Sequence, residues 1–189
     1  MRIIAGRLRG RMLGPVPKGV RPTTDRVRES LFSVLGSVEG MRVLDLCAGT
    51  GALGIEACSR GAEAVVWIER SKPVARALAA RLADLGIASD ADHLLIVSDA
   101  LDVLRRWRDG GQAVFDLVFF DPPYESEQRD VILAALFGSA VVGPETMVVV
   151  EGARRHPLPA IAGARVVDER RYGDTVLTWL ARARADGGS

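Results

Sequence analysis

Residues 41–57, MRVLDLCAGTGALGIEA, decide the fold of this chain, because they place a strand, a glycine-rich turn and a helix in immediate succession. The first seven residues are largely apolar, which is typical of a strand that is covered on both faces of a parallel sheet. Gly49, Gly51 and Gly54 have the GxGxxG spacing that lets a loop approach a bound nucleotide closely before it opens a helix. We therefore expect a β-α unit of a nucleotide-binding fold, with its helix over about residues 50–59.

The alternation of apolar strands and helices continues outward from this unit. Strands are predicted over residues 64–69, 93–98, 115–120 and 146–151, and helices over about 24–35, 72–85, 100–107 and 128–136. Residues 164–182 contain two strands about a turn at 172–174 with no helix between them, which predicts an antiparallel hairpin. We expect an α/β, Rossmann-like fold with a mostly parallel seven-stranded sheet and an antiparallel hairpin at its carboxyl end.

A charge asymmetry separates the first residues from the rest of the chain. Residues 1–30 carry eight basic and two acidic residues, a net charge of +6, whereas the remainder carries 17 basic and 22 acidic residues, a net charge of −5. Residues 3–13 have β-type apolar positions broken by Gly6 and Gly10, which predicts a short hairpin or an extended arm. We expect a basic N-terminal arm over residues 1–22 that contacts nucleic acid and a main domain over 23–184, the alternative for the arm being a solvated tail.

Length and composition indicate how many domains, which cellular compartment and which metal sites to expect. The 189 residues suit one α/β domain, and no apolar run approaches the roughly 20 residues of a membrane span. The N-terminus lacks the apolar segment of a secretory signal, so we expect a cytoplasmic protein with no membrane partner. Cys47 and Cys58 fit buried, reduced thiols, and His93 and His156 have no ligand-spaced partners, so no metal site is expected.

Acidic residues end three predicted strands and bear on which nucleotide the glycine loop binds. Glu69 ends the second strand 20 residues after Gly49, the usual place for a carboxylate that bonds ribose hydroxyls. Asp45 ends the first strand, where it would repel a pyrophosphate but attract the ammonium group of S-adenosylmethionine. Asp99 follows the third strand and can accept a hydrogen bond from an adenine amino group. Together these acids favour S-adenosylmethionine over NAD, although each one singly could be a helix cap or a solvated carboxylate.

The fourth strand ends in FFDPPY, residues 119–124, which has the parts needed to hold a planar amine. The two prolines stop the strand because neither can donate a ladder hydrogen bond, and the first keeps Asp121 extended. The Asp121 carboxylate and the Pro122 carbonyl can accept the amine hydrogens, and Tyr124 can stack on a base, which is worth about 1–3 kcal/mol. A simple turn residue at 121 and an aromatic ring that closes the sheet at 124 are the structural alternatives.

Several of these motifs also resemble a known family. VLDLCAGTGALGIEA, WIER, SDA and FFDPPY resemble, in this order, the sequence blocks of class I S-adenosylmethionine-dependent methyltransferases. The N-terminal MRIIAGRLRGRML and RPTTDRVRESLF resemble the RsmD family of bacterial 16S ribosomal RNA guanine-N2 methyltransferases, and the likeness runs from residue 1 to about 182. The resemblance implies methyl transfer to the exocyclic N2 amine of a guanine in 16S ribosomal RNA, within an assembling small ribosomal subunit. A monomeric enzyme is expected.

The resemblance and the residue chemistry together give a set of candidate site residues. The expected catalytic residues are Asp121, Pro122, Pro123 and Tyr124. The expected contacts to S-adenosyl-L-methionine are Asp45, Ala48, Gly49, Gly51, Glu69, Arg70, Asp99, Ala100 and Thr23. The expected RNA contacts are Arg7, Arg9, Arg11 and Arg21, which would bind phosphates and add affinity without reading sequence.

Three other functions remain open from the residues alone. DPPY cannot choose the base or the sugar, so an adenine or cytosine amino-methyltransferase acting on DNA is the nearest alternative. The GxGxxG loop also suits a nicotinamide-dependent oxidoreductase. A non-catalytic RNA-binding protein with a relict pocket is the third.

Overall fold

The computed structural model describes residues 1–16, 24–87, 92–110, 113–122 and 128–184, which contain seven strands and five helices. The strands are β1 (Arg42–Leu46), β2 (Ala64–Glu69), β3 (His93–Val97), β4 (Phe115–Phe120), β5 (Val142–Ala153), β6 (Ala164–Tyr172) and β7 (Thr175–Arg182). The helices are α1 (Asp25–Leu35), α2 (Ala52–Ser59), α3 (Lys72–Asp84), α4 (Ala100–Arg106) and α5 (Arg129–Phe137). Within these residues, no helix is long and apolar enough to cross a membrane.

All seven strands form one sheet in the order β3-β2-β1-β4-β5-β7-β6. The strands β1 to β5 are parallel, whereas β7 lies between β5 and β6 and runs antiparallel to both. The predicted parallel sheet with a C-terminal antiparallel hairpin is therefore confirmed. Because Leu46 of β1 pairs with both Ile68 and Phe120, the carboxyl ends of β1, β2 and β4 reach the same edge of the sheet.

Two predicted elements differ from the structure by more than one residue at their start. The helix expected from residue 50 begins at Ala52, because Gly51 has a left-handed φ of 72° and ends the loop before helical geometry starts. The fifth strand begins at Val142 rather than at 146, although GPE at 143–145 has the composition of a turn. The Thr146 hydroxyl donates to the Phe115 carbonyl at 2.6 Å and accepts from Gly143 N–H at 2.8 Å, which bridges the register shift between β4 and β5.

The sheet is covered on both faces, as its apolar strands require. Helices α1, α2 and α3 pack on one face, where Trp67 and Phe119 are fully buried. Helices α4 and α5 pack on the other face, over Val118 and Phe120. Helix α1 begins as predicted, with the Thr24 hydroxyl accepting a hydrogen bond from Val27 N–H at 3.3 Å.

Residues 1–13 form a small hairpin, called here the N-terminal hairpin, with a single antiparallel bridge between Arg2 and Met12. Its apolar residues Ile3, Leu8 and Leu13 are buried in the same cluster as α1, α2 and α3. The segment is therefore a docked hairpin rather than an extended arm. The proposed boundary between residues 22 and 23 lies outside the described residues.

Candidate functional site

The glycine-rich loop after β1 depends on its glycines for close packing. Gly51 has a φ of 72°, and a Cβ atom there would lie 2.3 Å from a methyl carbon of Leu78 in α3. A Cβ atom on Gly54 would lie 2.2 Å from the indole nitrogen of Trp67 in β2. The GxGxxG spacing thus lets α3 and β2 support the loop at van der Waals distance, while Gly49 leaves its backbone N–H directed at Glu69.

The Glu69 carboxylate fastens the end of β2 to this loop. It accepts hydrogen bonds from Gly49 N–H at 2.9 Å and from Ser71 N–H at 2.7 Å. Each carboxylate oxygen has a second lone pair, so Glu69 can still accept from a ligand hydroxyl. The two backbone bonds fix the orientation of Glu69 beside the first glycine.

Asp45 is buried at the end of β1, with 2% of its surface exposed. Its carboxylate accepts a hydrogen bond from Gly54 N–H at 2.9 Å, at the beginning of α2. Burial raises the pKa of Asp45 to about 7; the Gly54 hydrogen bond opposes this shift and the Glu69 carboxylate adds to it. A cation nearby would favour the ionised form and lower this pKa.

Asp99 follows β3 and Asp121 follows β4, the strands that flank β2 and β1 on either side. Asp99 caps α4, since its side chain accepts a hydrogen bond from Leu101 N–H at 2.9 Å. Helix capping was the structural alternative to adenine binding for this residue. Asp121 is half-buried directly after β4, and Pro122 is buried. Pro123 and Tyr124 lie outside the described residues.

The carboxylates of these four acids all lie near the Cys47 thiol in the glycine loop. Cys47 has a left-handed φ of 67°, which turns the chain sharply after β1. Burial raises the pKa of Cys47 to about 12, and the carboxylates that add to the shift are those of Glu69, Asp121, Asp45 and Asp99. Four strand ends that are far apart in sequence therefore surround one loop, which gives a concentrated negative region at the ligand edge of the sheet.

The remaining predicted cofactor residues frame this region. Ala48 is buried, and its N–H donates to the Ile68 carbonyl at 2.8 Å, which joins the loop to β2. Arg70 is exposed directly after β2, and Ala100 is the buried first residue of α4. Thr23 lies outside the described residues.

The arginines predicted to bind RNA have different surroundings. Arg11 donates to the carbonyls of Asp84 and Leu85, 2.5 Å and 3.1 Å away, and so caps the end of α3. Arg7 donates to the Cys58 sulfur at 3.3 Å, whereas Arg9 is exposed on the hairpin surface. Arg21 lies outside the described residues.

The most connected charged residue that the sequence did not reveal is Glu56, which is 1% exposed in the otherwise apolar helix α2. It accepts from Ile4 N–H at 2.9 Å, Ala5 N–H at 3.0 Å and the Arg60 guanidinium at 2.8 Å. A lone charge in a helix as apolar as ALGIEACS is the signal that was available, because charged residues are buried only with partners.

Arg28, in the RPTTDRVRE motif, belongs to the same network. Its buried guanidinium pairs with Asp25 at 2.9 Å, lies 3.9 Å from Glu56 and donates to the Arg2 carbonyl of the N-terminal hairpin. Burial lowers the pKa of Arg28, while Glu56 and Asp25 oppose the shift. The described part of the motif therefore joins α1, α2 and the hairpin through one buried charge cluster.

Arg81 in α3 is the second residue that the sequence did not reveal. Its guanidinium donates to the Thr50 carbonyl of the glycine loop at 2.5 Å, to the Pro15 carbonyl at 3.0 Å and to the Leu13 carbonyl. No sequence signal marks it, since KPVARALAARLAD reads as an ordinary amphipathic helix.

The strand order, the glycine loop after β1 and the acids at the following strand ends define the Rossmann-like fold of class I methyltransferases. Solved structures agree with this class, since the Escherichia coli protein yhhF superposes with a TM-score of 0.83 at 34% identity, covering 96% of this chain and 97% of that one. The family described as Conserved hypothetical protein 95 matches residues 1–181.

Individual relatives are similar over nearly their whole length. The chain is 37% identical over 176 residues to ribosomal RNA small subunit methyltransferase D of Haemophilus influenzae, covering 92% of this chain and 89% of the relative. It is 33% identical over 192 residues to the protein of the same name from Escherichia coli K12, covering 100% and 93%. This chain therefore belongs to the Conserved hypothetical protein 95 family, and its resemblance to the RsmD family is confirmed.

Proposed function

We propose that this protein transfers a methyl group from S-adenosyl-L-methionine to the exocyclic N2 amine of a guanine in 16S ribosomal RNA. The observation that carries the proposal is that Asp45, Glu69, Asp99 and Asp121 lie at or just after the carboxyl ends of four neighbouring parallel strands, beside the glycine loop. Three of these acids suit a cationic nucleoside, and the fourth is followed directly by the buried Pro122. The relatives named above as small-subunit ribosomal RNA methyltransferases support the choice of RNA.

The acids around the loop fit S-adenosylmethionine chemically. Bound there, it would supply a methyl group that its positively charged sulfonium activates. Glu69 would accept from ribose hydroxyls, and Asp99 from the adenine amino group. Asp45 would act mainly through its charge, because it is buried and already accepts from Gly54 N–H; a cation would lower its raised pKa.

The DPPY segment would prepare the amine. The lone pair of an aryl amine is delocalised into its ring, so the amine is a weak nucleophile. If the Asp121 carboxylate and the Pro122 carbonyl accept its two N–H bonds, the nitrogen becomes pyramidal and its lone pair is directed at the methyl group. Orientation of this kind can contribute several kcal/mol, and Asp121 would also stabilise the positive charge that develops on nitrogen.

The remaining assignments complete the proposal. Tyr124 would stack on the extruded guanine, and Pro123 would belong to the same site. Arg9 is the best placed of the hairpin arginines for phosphate contact, since it is exposed and Arg11 already bonds the end of α3. Ala48, Arg70, Ala100 and Thr23 would line the cofactor site, and Arg21 would contact RNA.

The reaction and its substrate can be tested together. Purified protein and isotopically labelled S-adenosylmethionine are incubated with 16S ribosomal RNA, with assembled small subunits and with duplex DNA, and the methylated nucleoside is identified by mass spectrometry. We expect N2-methylguanosine from ribosomal RNA or from the subunits. Methylation of duplex DNA in preference to both would overturn the substrate, and tight binding of NAD without binding of S-adenosylhomocysteine would overturn the reaction class.

Asp121→Ala tests the amine-holding role. Removal of the carboxylate should lower the methyl-transfer rate by about 100-fold or more, because an acceptor and a charge-stabilising group are both lost. Calorimetry should show nearly unchanged affinity for S-adenosylhomocysteine. Asp102→Ala is the matched control, since Asp102 is a carboxylate on α4 whose side chain is 60% exposed. Turnover by Asp121→Ala equal to that of this control would refute the role.

A further inference from the structure

A groove of about 210 Å³ lies at the carboxyl end of β5, and no described residue of the cofactor site lines it. The end of β5, the loop at 154–158 and the β6–β7 hairpin form its walls. Its polar lining includes Arg154, His156, Glu169, Arg171 and Thr178. None of these residues belongs to the cofactor site or to the DPPY segment.

The groove opens at the same edge of the sheet as Asp121. Phe120 of β4 pairs with Val150 of β5, so Asp121 follows β4 at the level of Glu151. β5 ends at Ala153, two residues or roughly 7 Å beyond that level at about 3.3 Å per residue, and Arg154 begins the loop that follows. A polynucleotide with one base at Asp121 would therefore carry its neighbouring phosphates past the groove.

The charges in and around the groove are unevenly compensated. Arg171 is neutralised by Glu169, to which it donates at 2.9 and 3.1 Å, and Arg170 is paired with Asp168 at 2.9 Å. Arg154 and Arg155 are exposed and form no ion pair within the described part of the chain. The loop thus presents two adjacent guanidinium groups, followed by His156, that are available to an anion.

The loop is held in place by hydrogen bonds to two neighbouring elements, α5 and the turn between β6 and β7. Arg129 of α5 donates to the carbonyls of His156 and Pro157, 2.8 Å and 3.0 Å away, and its charge is balanced by Asp130 at 2.8 Å. Arg154 N–H donates to the Asp174 carbonyl at 2.8 Å, which fixes the loop to the turn between β6 and β7. The backbone that carries the free guanidinium groups is therefore ordered before any ligand arrives, which lowers the entropic cost of binding.

From this arrangement we propose that Arg154 and Arg155, with His156 of the groove, bind backbone phosphates of the RNA strand next to the target guanine. The proposal rests on the function proposed above and extends it to a second RNA contact, separate from the N-terminal hairpin. Guanidinium groups suit phosphate because they donate several hydrogen bonds in one plane. Contacts of this kind position the strand and add affinity without reading its sequence.

The test is the double substitution R154Q/R155Q, compared with R165Q. Arg165 is an exposed arginine at the amino end of β6, which lies at the opposite edge of the sheet from the groove. Methyl transfer to 16S ribosomal RNA and to assembled small subunits is measured over a range of KCl concentrations, and S-adenosylhomocysteine affinity by calorimetry. We expect the KM for RNA of R154Q/R155Q to rise about 10-fold at 150 mM salt, with the slope of log affinity against log salt smaller by about 1.4, or about 0.7 per lost contact. Cofactor affinity should stay at the wild-type value, and R165Q should match wild type throughout.

The outcomes separate this proposal from the one on which it rests. If wild-type protein methylates ribosomal RNA or subunits and R154Q/R155Q has the same KM and salt slope, the groove contact is refuted while the proposed function stands. If wild-type protein methylates neither substrate, the proposed function and the groove contact both fail. An equal rise of KM in R165Q would also refute the groove, since the effect would then come from net charge alone.

Discussion

Asp45 is the residue at which stability and function oppose each other most directly. Its carboxylate is buried at the end of β1, and burial raises its pKa to about 7 from an ordinary value of 3.8. The folded state therefore binds the proton more tightly than the unfolded state between those two values. The contribution of Asp45 to the free energy of unfolding therefore falls as pH rises through this window, and it stays low above pH 7. Burial of the ionised carboxylate is therefore unfavourable at neutral pH, and in the proposed function a bound ammonium group would offset it.

Asp45→Asn should separate the two effects. The Asn side-chain oxygen can keep the bond from Gly54 N–H, so at pH 8 we expect the free energy of unfolding to rise by roughly 1–3 kcal/mol. Affinity for S-adenosylhomocysteine, which carries an ammonium group, should fall about 10-fold at pH 8. In wild type that affinity should increase from pH 6 to pH 8, and in Asp45→Asn this increase should be smaller.

Urea denaturation and calorimetry at pH 6 and 8 measure these changes. Asp116→Asn is the control, because Asp116 also accepts one backbone N–H, from Arg42 at 2.8 Å, but is exposed at the other edge of the sheet. An Asp45→Asn protein that binds S-adenosylhomocysteine as tightly as this control at pH 8 would remove Asp45 from the cofactor site.

Helix α3 is the element that couples the N-terminal residues to the glycine loop. Leu78 packs against Gly51, and Arg81, one turn further on the same face, bonds the Thr50 carbonyl. The same guanidinium also holds the carbonyls of Leu13 and Pro15. One side chain therefore joins the end of the N-terminal hairpin to the loop that would carry the cofactor.

Arg81→Gln should weaken both the attachment of the N-terminal hairpin and the support of the glycine loop. Three carbonyl acceptors lose a charged donor, so we expect a loss of about 2–3 kcal/mol in the free energy of unfolding and about 10-fold weaker binding of S-adenosylhomocysteine. Arg76→Gln, an exposed change on the same helix, should alter neither quantity. Stability lowered without any change in cofactor affinity would show that Arg81 supports the fold but not the loop.

For the whole molecule, the order of strands and helices could be predicted from sequence, but the hydrogen-bond partners of individual side chains could not. Local periodicity predicted the strands and helices, and the lack of a helix after residue 164 predicted the antiparallel hairpin. The acids at 45, 69 and 99 could be placed at one edge because parallel strands end together. The hydrogen-bond partners of Glu56, Arg28 and Arg81 could not be predicted, because those partners lie on other elements that only tertiary packing brings close. The insertion of β7 between β5 and β6 likewise depends on long-range pairing.

The sequence predicted a basic arm or hairpin over the first residues, and the structure shows a hairpin whose apolar residues are buried in the main core. The basic charge belongs to exposed side chains of this segment, whereas Ile3, Leu8 and Leu13, spaced five residues apart, are buried. Docking also requires close backbone approach. The N–H of Arg7 donates to the Ser59 carbonyl at 2.7 Å, and the Ser59 hydroxyl donates to the Ala5 carbonyl at 2.6 Å. Hairpin and domain should therefore unfold as one unit.

Gly6 and Gly10 provide a matched pair for testing that cooperativity. Both have a left-handed φ, 81° and 83°, so alanine costs each about 1 kcal/mol in backbone strain. A Cβ atom on Gly6 would lie 1.8 Å from the Ser59 carbonyl oxygen, whereas one on Gly10 meets no atom within 4 Å. We expect Gly6→Ala to lower the free energy of global unfolding by about 3 kcal/mol and Gly10→Ala by about 1 kcal/mol, because only the first displaces the hairpin from the core.

Urea denaturation followed by tryptophan fluorescence, to which the buried Trp67 contributes, should show one shifted transition for each variant. Equal losses in the two variants, or an unshifted main transition in Gly6→Ala, would mean that the hairpin is an independent arm after all.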